Sequence, residues 1–251
     1  MWVRRRCCLN LHATKYLNKT FLRITRVLFA FFLVCSIVSC GSLRRVESEN
    51  GHEYVDLGLS VRWATMNVGA QAPQESGEYY AWGELEPKDV YEWVTYSFRT
   101  AGDTVYDVQL SKYNTKKNHG TVDNNTRLLK ADDVANVKWG GGWRYPTIAE
   151  IEELMDENNC TWTWTTMKGV DGYKVQSRKK GYKRRYIFIP AAGARSGSGF
   201  DEKEPGGLYW SGSLIEAFYA CIISFTPDAI SAYSASERFM GLPVRPVCPK
   251  Y

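Results

Sequence analysis

Apolar and polar positions divide this chain into three stretches that obey different rules. From Val27 to Val38 nearly every residue is apolar, and before that run Arg4, Arg5, Arg6, Lys15, Lys19, Arg23 and Arg26 stand without a single acid. A cationic region feeding a hydrophobic stretch too short to span a bilayer comfortably predicts a secretory signal outside the folded domain. The alternative is an uncleaved anchor that keeps the same run in a membrane. Leu43 to His52 is polar and charged with no period, which predicts a tether. From Glu53 onward apolar, aromatic and glycine positions stay dense to Tyr251, as expected of one folded domain.

Within that domain one helix is well specified. Thr147 followed three residues later by Glu150 forms a capping-box signature, and Ile148, Ile151 and Leu154 or Met155 recur on one face. A second, weaker helix is predicted over Lys130 to Val137. Strands are predicted at Tyr173–Ser177, Arg185–Pro190, Tyr219–Phe225 and Pro243–Val247, with loops between them. No internal repeat is visible.

The end of the apolar run alters the picture of the leader. Ile37-Val38-Ser39-Cys40 resembles a bacterial lipobox, in which the cysteine is diacylated and becomes the new N-terminus. Residues 1–39 then form a lipoprotein signal peptide, and 40–52 comprise the lipidated Cys40 and a polar tether. Only a thiol can take such a thioether.

Charge matters mainly for what it excludes. The chain has 32 Lys and Arg against 27 Asp and Glu, but the leader holds seven of the basic residues and no acid, leaving 25 against 27. A nearly neutral domain lacks the average field that would steer a polyanion, so nucleic acid is not expected as a partner. Locally the balance differs. Arg178, Lys179, Lys180, Lys183 and Arg184 crowd around Gly181, which predicts a hairpin with a positive tip. That tip is either a solvated loop or a contact for phosphate, sulfate or an anionic glycan.

Catalytic constellations are not found. Three cysteines remain in the domain, Cys160, Cys221 and Cys248; Cys160 can pair with Cys248 or Cys221, or all three can stay buried thiols. His52 and His119 lie far apart in polar surroundings, which is too sparse for zinc. Ser196-Gly197-Ser198-Gly199 lacks the strand and glycine offset of a nucleophile elbow. Asp132-Asp133 and Glu152-Glu153 read as solvated acids. No enzyme activity, metal or cofactor is predicted.

Several blocks in order carry a family resemblance. They run from Glu53-Tyr54-Val55-Asp56-Leu57-Gly58-Leu59 through Arg62-Trp63-Ala64-Thr65-Met66-Asn67-Val68-Gly69, then Gly77-Glu78-Tyr79-Tyr80-Ala81-Trp82-Gly83-Glu84 and Trp139-Gly140-Gly141-Gly142-Trp143-Arg144-Tyr145-Pro146-Thr147. Ile187-Phe188-Ile189-Pro190-Ala191-Ala192-Gly193, Tyr209-Trp210-Ser211-Gly212-Ser213 and Gly241-Leu242-Pro243-Val244-Arg245-Pro246-Val247 follow. This series resembles the major paralogous domain of exported lipoproteins in Bacteroidetes and Fibrobacter. The resemblance implies an α+β, C-type-lectin-like fold related to formylglycine-generating enzymes, with short strands, about two helices and extensive ordered loops. The active cysteine pair of those enzymes has no counterpart here, and the calcium-binding motifs of sugar-binding lectins are missing.

In folds of this kind the stretch corresponding to Leu214–Met240 commonly supplies an exposed contact face. The outward candidates on it are Ile215, Phe218, Ile222, Asp228, Ile230, Tyr233 and Phe239. Three functions are therefore carried forward. The leading one is an outer-membrane lipoprotein, at the cell surface or on the periplasmic face, that binds an extracellular glycan or protein. The others are an oxidoreductase relative of formylglycine-generating enzymes and a structural subunit of a surface assembly.

Overall fold

The structure, a computed structural model, describes residues 45–201 and 206–250. The signal segment and Cys40 lie outside the described residues. Four antiparallel strands form the first sheet: β1 (Glu47–Glu49), β2 (His52–Val55), β3 (Val61–Ala64) and β14 (Val247–Pro249), in the order β1-β2-β3-β14. The expected tether is therefore shorter than 40–52. Glu47 already pairs with Tyr54, and the Tyr54 hydroxyl donates to the Glu47 carboxylate. An edge strand made of Glu-Ser-Glu has no apolar period to reveal it. The Trp143 indole donates to the Glu49 carbonyl at 2.7 Å and the Asn50 amide donates to the Trp139 carbonyl, which fixes the β1–β2 turn to the body.

Residues 65–92 contain no regular element, yet Tyr79, Tyr80, Ala81 and Trp82 are buried. Buried backbone must find partners. Tyr80 and Leu242 exchange both of their backbone hydrogen bonds, Trp82 N–H donates to the Arg238 carbonyl, and Val68 N–H donates to the Val244 carbonyl. Two indoles cross to lock the loop: Trp82 Nε1 donates to the Ser211 carbonyl and Trp210 Nε1 to the Tyr80 carbonyl, both at 2.8 Å. Large rings thus bury area that short strands cannot.

A small hairpin, β4 (Arg99–Ala101) with β5 (Gln109–Leu110), precedes the two helices. The weak helix expected over 130–137 is split. A 3-10 turn spans Lys130–Asp132, and α1 runs Val134–Trp139, because the Asp133 carboxylate turns in to cap the Asn136 N–H at 3.0 Å. The helix α2 (Ile148–Met155) has the expected reciprocal cap between Thr147 and Glu150, and its Ile151 and Leu154 are buried.

Two antiparallel three-stranded sheets follow. The first contains β6 (Cys160–Met167), β7 (Val170–Ser177) and β8 (Tyr186–Pro190); the second, reached after a short hairpin of β9 (Ala194–Ser196) and β10 (Gly199–Asp201), contains β11 (Gly207–Glu216), β12 (Tyr219–Phe225) and β13 (Ile230–Glu237). The expected strand at Pro243–Val247 begins only at Val247. The carbonyls of Pro243, Val244 and Pro246 accept from Trp210 of β11, Val68 of the buried loop and Ala64 of β3, and Pro243 and Pro246 have no N–H to offer a ladder. The described chain is mostly β with two short helices, compatible with an α+β fold.

Candidate functional site

The seven expected contact residues on 214–240 do not form one face. Ile215 and Tyr233 are exposed, at 52% and 87%, and Asp228 is exposed in the β12–β13 turn. Ile222 is only 2% exposed and Phe218 9%, which corrects their assignment as outward. β12 is the central strand of its sheet and is covered on both faces, so Ile222 packs with Trp210 and Ala220 while Cys221 and Ile223 are buried too. Phe218 sits edge-on to Trp93, with ring centroids 5.9 Å apart, and half-buried Phe239 packs on the same indole at 5.1 Å. The register also separates the exposed members. Ile215 lies near the β11–β12 turn, whereas Asp228 lies at the opposite end of the sheet.

The hairpin tip is as positive as expected. β7 and β8 pair in register, Gly181 lies at φ +87° in the connecting loop, and Arg178, Lys180, Lys183 and Arg184 are exposed with Lys179 half-buried. Among the described residues none of these five cations forms an ion pair. Arg185, by contrast, stacks over Tyr182 at 4.5 Å. Tyr182 seats the tip on Gly58, where a Cβ would fall 2.8 Å from its ring, so only glycine fits.

Two halves of the expectation meet at Arg178. It lines a cavity of about 420 Å³ together with Asp228, Ile230, Glu157, Met155, Trp162 and Tyr173, and an adjoining one of about 460 Å³ with Asn158, Thr161, Thr163, Gln176 and Lys183. Thr161 and Arg178 line both cavities, which lie one on each side of β6: Trp162 and Tyr173 are on the face of the first cavity, Thr161, Thr163 and Gln176 on that of the second.

Four hydrogen bonds build the walls of the first cavity. Trp162 Nε1 donates to the Leu154 carbonyl at 3.1 Å, holding the end of α2 over β6. The Tyr173 hydroxyl shares its one proton between the carbonyls of Thr226 and Pro227, both at 3.0 Å, which hangs the Asp228 turn over β7. Arg178 N–H donates to the Asn159 carbonyl at 2.8 Å, tying the tip to the turn after α2. Beneath lie Trp162, Trp164, Tyr173 and Phe225 in edge-to-face contact. Burial, and then the charge of Asp228, raise the Tyr173 phenol above its usual range.

Comparison with models of protein families, with curated proteins and with solved structures finds no match to this chain. The site's meaning rests on its own chemistry.

Trp162, Tyr173, Thr161 and Thr163 were missed as site residues. Their signal was the alternation Thr161-Trp162-Thr163-Trp164, a strand with one aromatic and one hydroxyl face. Two acids read as solvated are not. Asp133 is buried, and Asp132 accepts from Tyr113 Oη and from Lys112. Burial outweighs the N–H donors of Asn136 and Tyr145 and pushes the Asp133 carboxyl up to about 6. The three domain cysteines are free and buried; burial pushes the thiols of Cys160 and Cys248 up to about 12 and about 11, and raises that of Cys221. His52 stacks flat on Trp139 at 4.0 Å, and His119 meets Phe218 edge-on. Among the described residues no helix is long and apolar enough to cross a membrane.

Proposed function

We propose that this chain is an envelope lipoprotein, fixed by an acylated Cys40, whose C-type-lectin-like domain recognises an extracellular ligand in the groove around Arg178. The leader pattern and the ordered motif series support the first part. A mostly β body with a long, buried, irregular loop supports the second. The observation that carries the recognition reading is the convergence of Arg178 from the tip, Asp228 and Ile230 from the β12–β13 turn, and Trp162 and Tyr173 from the sheet. Cation, carboxylate and aromatic edges around one concave surface are what a polar organic ligand needs for orientation and contact area. The buried thiols, held protonated, supply no nucleophile to that groove.

The test is a screen of the purified protein against immobilised glycans and envelope or host proteins, repeated with Arg178→Ala and Asp228→Ala. A ligand whose binding both substitutions weaken supports the groove. A ligand bound equally by all three proteins would remove it as the site. Labelled palmitate incorporated by the parent and not by Cys40→Ala, with protease shaving of intact cells, tests the anchor and its side.

A further inference from the structure

Among the described residues each larger sheet blunts its outer strands, with β6 as the exception. In the first sheet β1 carries Glu47 and Glu49, and on β14 Val247 exchanges both of its backbone hydrogen bonds with Arg144. On β8 the Pro190 carbonyl accepts from the Tyr209 hydroxyl at 2.7 Å and the Phe188 carbonyl accepts from Arg245 at 3.0 Å. On β11 the N–H groups of Trp210, Gly212 and Leu214 reach the carbonyls of Pro243, Pro146 and Thr126. β13 carries a bulge, in which Ala232 and Tyr233 stand against Ile223 alone. Cover, charge and bulges are the ordinary means by which a sheet avoids pairing with another chain.

β6 has none of these devices. Its sequence, Cys160-Thr161-Trp162-Thr163-Trp164-Thr165-Thr166-Met167, contains no charge and no proline, and it pairs with β7 without a register shift from Cys160–Ser177 to Met167–Val170. Hydrogen bonds at one end fix which backbone groups face away from β7. Arg178 N–H donates to the Asn159 carbonyl, Ser177 N–H turns to Arg185 on the β8 side, and Cys160 N–H turns outward to Asp156. Antiparallel alternation then leaves the N–H and carbonyl groups of Trp162, Trp164 and Thr166 on the open side, with no backbone partner among the described residues. The side chains of Thr161, Thr163 and Thr166 are exposed, and both indoles are half-buried.

From this open edge we infer that two copies of the chain associate through β6, antiparallel about a two-fold axis, joining two three-stranded sheets into one. The strand is its own complement when reversed. With Thr163 facing Thr163 of the second copy, Trp162 lies opposite Trp164 and Thr161 opposite Thr165, so threonines meet threonines on one face and indoles meet indoles on the other. Charge at the strand ends favours the same arrangement. Asp156 and Glu157 precede β6 and Lys168 follows it, all three exposed, and antiparallel pairing brings the acidic end of each copy to the cation of the other. A parallel arrangement would set like charges together. A foreign strand gains the backbone bonds but not this match at both ends.

So few paired residues make a small interface, and association is expected at concentrations on the order of 100 µM. Sedimentation velocity of the purified protein from about 5 to about 500 µM should show the mass rising from one chain toward two. Amide hydrogen exchange followed residue by residue by NMR should slow with concentration at Trp162, Trp164 and Thr166. Thr163 and Thr165, whose N–H groups already bond to β7, should be protected throughout. Thr163→Lys and Thr163→Glu, on an exposed side chain, should each weaken association at least about fivefold, because like charges then face each other across the axis. Mixed in equal amounts, the two variants should associate at least as strongly as the parent, which also shows that each is folded. Tyr233→Lys, on the bulged edge, should change association less than about twofold.

A parent protein that stays monomeric to about 500 µM, with freely exchanging amides at Trp162, Trp164 and Thr166, would overturn the pairing. So would association that both Thr163 variants leave intact, or that their mixture fails to restore. Loss of association on Tyr233→Lys would move the interface to β13 and overturn it as well. Protection of the three amides in an envelope extract, with the protein itself monomeric, would give the edge to a foreign strand in place of a second copy.

Discussion

Arg238 Nε donates to the Tyr96 hydroxyl at 2.9 Å, with both residues buried and 142 positions apart in sequence. The hydroxyl passes the bond on to the Trp82 carbonyl at 2.7 Å. The rest of the guanidinium donates to the carbonyls of Ala217, Tyr113 and Lys112 and lies 5.1 Å over the Trp82 ring. Among the described residues Arg238 has no carboxylate in ion-pairing range. Peptide carbonyls and aromatic faces solvate the charge, so one side chain ties the long loop, the β4–β5 region and β13 together.

Replacement of Arg238 by Leu should therefore cost about 3 kcal/mol or more, because three buried carbonyls lose their donors. Tyr96→Phe, which strands the Trp82 carbonyl and the Arg238 Nε, should cost about 1–2 kcal/mol. Thermal and urea unfolding measure both. An Arg238→Leu protein as stable as the parent would show that the network contributes nothing net.

Stability should depend on pH through Asp133. Its folded pKa, about 6, lies above the ordinary 3.8. Between those values the folded state keeps a proton that the unfolded chain has released. The contribution is fully present below about pH 4 and is lost as pH rises through about 6, on the order of 3 kcal/mol in total. Asp133→Asn removes this titration and keeps an oxygen for the α1 cap. Urea unfolding of the two proteins across this window should show the parent losing stability relative to the variant as pH rises. A constant difference at all pH values would contradict the burial of a high-pKa carboxyl.

Gly207 faces the Phe225 ring so closely that a Cβ would fall 2.2 Å from it. Gly207→Ala should cost about 1–3 kcal/mol, because Phe225 is wedged among Trp162, Trp164, Tyr173 and Tyr209 and cannot yield freely. The near-ultraviolet circular dichroism of this cluster should change as well. Gly199→Ala, where the nearest neighbour would be 3.9 Å away, serves as the comparison and should stay within about 0.5 kcal/mol.

Thiol alkylation followed by peptide mapping should leave Cys160, Cys221 and Cys248 unmodified in the native protein at mildly alkaline pH, since all three are buried and their thiols are raised. In guanidinium all three should react. A native disulfide among them, or one thiol alkylated at the rate of free cysteine, would contradict this arrangement.

What was legible in the sequence follows from how local each signal is. The cap of α2 and the span of β12 needed only neighbours a few positions away, and both stand where the pattern put them. Direction along a strand was harder to judge. The resemblance placed Ile222 outward, but a central strand covered on both faces has no outward side, and that depends on what packs above it. The split at Asp133 was hidden because a capping carboxylate and a solvated one look alike until burial is known. For the site, the tip cations and Asp228 could be named in advance. Their meeting at Arg178 could not, because it depends on the Tyr173 hydroxyl holding a turn more than fifty residues away.

The pairing in the first sheet has a practical corollary. β1 begins level with Tyr54 and runs away from Val61, while β14 ends level with Val61, so the two ends of the described fold leave the sheet in the same direction. They are three strands apart, roughly 14 Å. A carrier, dye or affinity handle joined after Lys250 would thus leave on the same side as one joined before Arg45, and immobilising the described fold by either end should present the same outward side to solution.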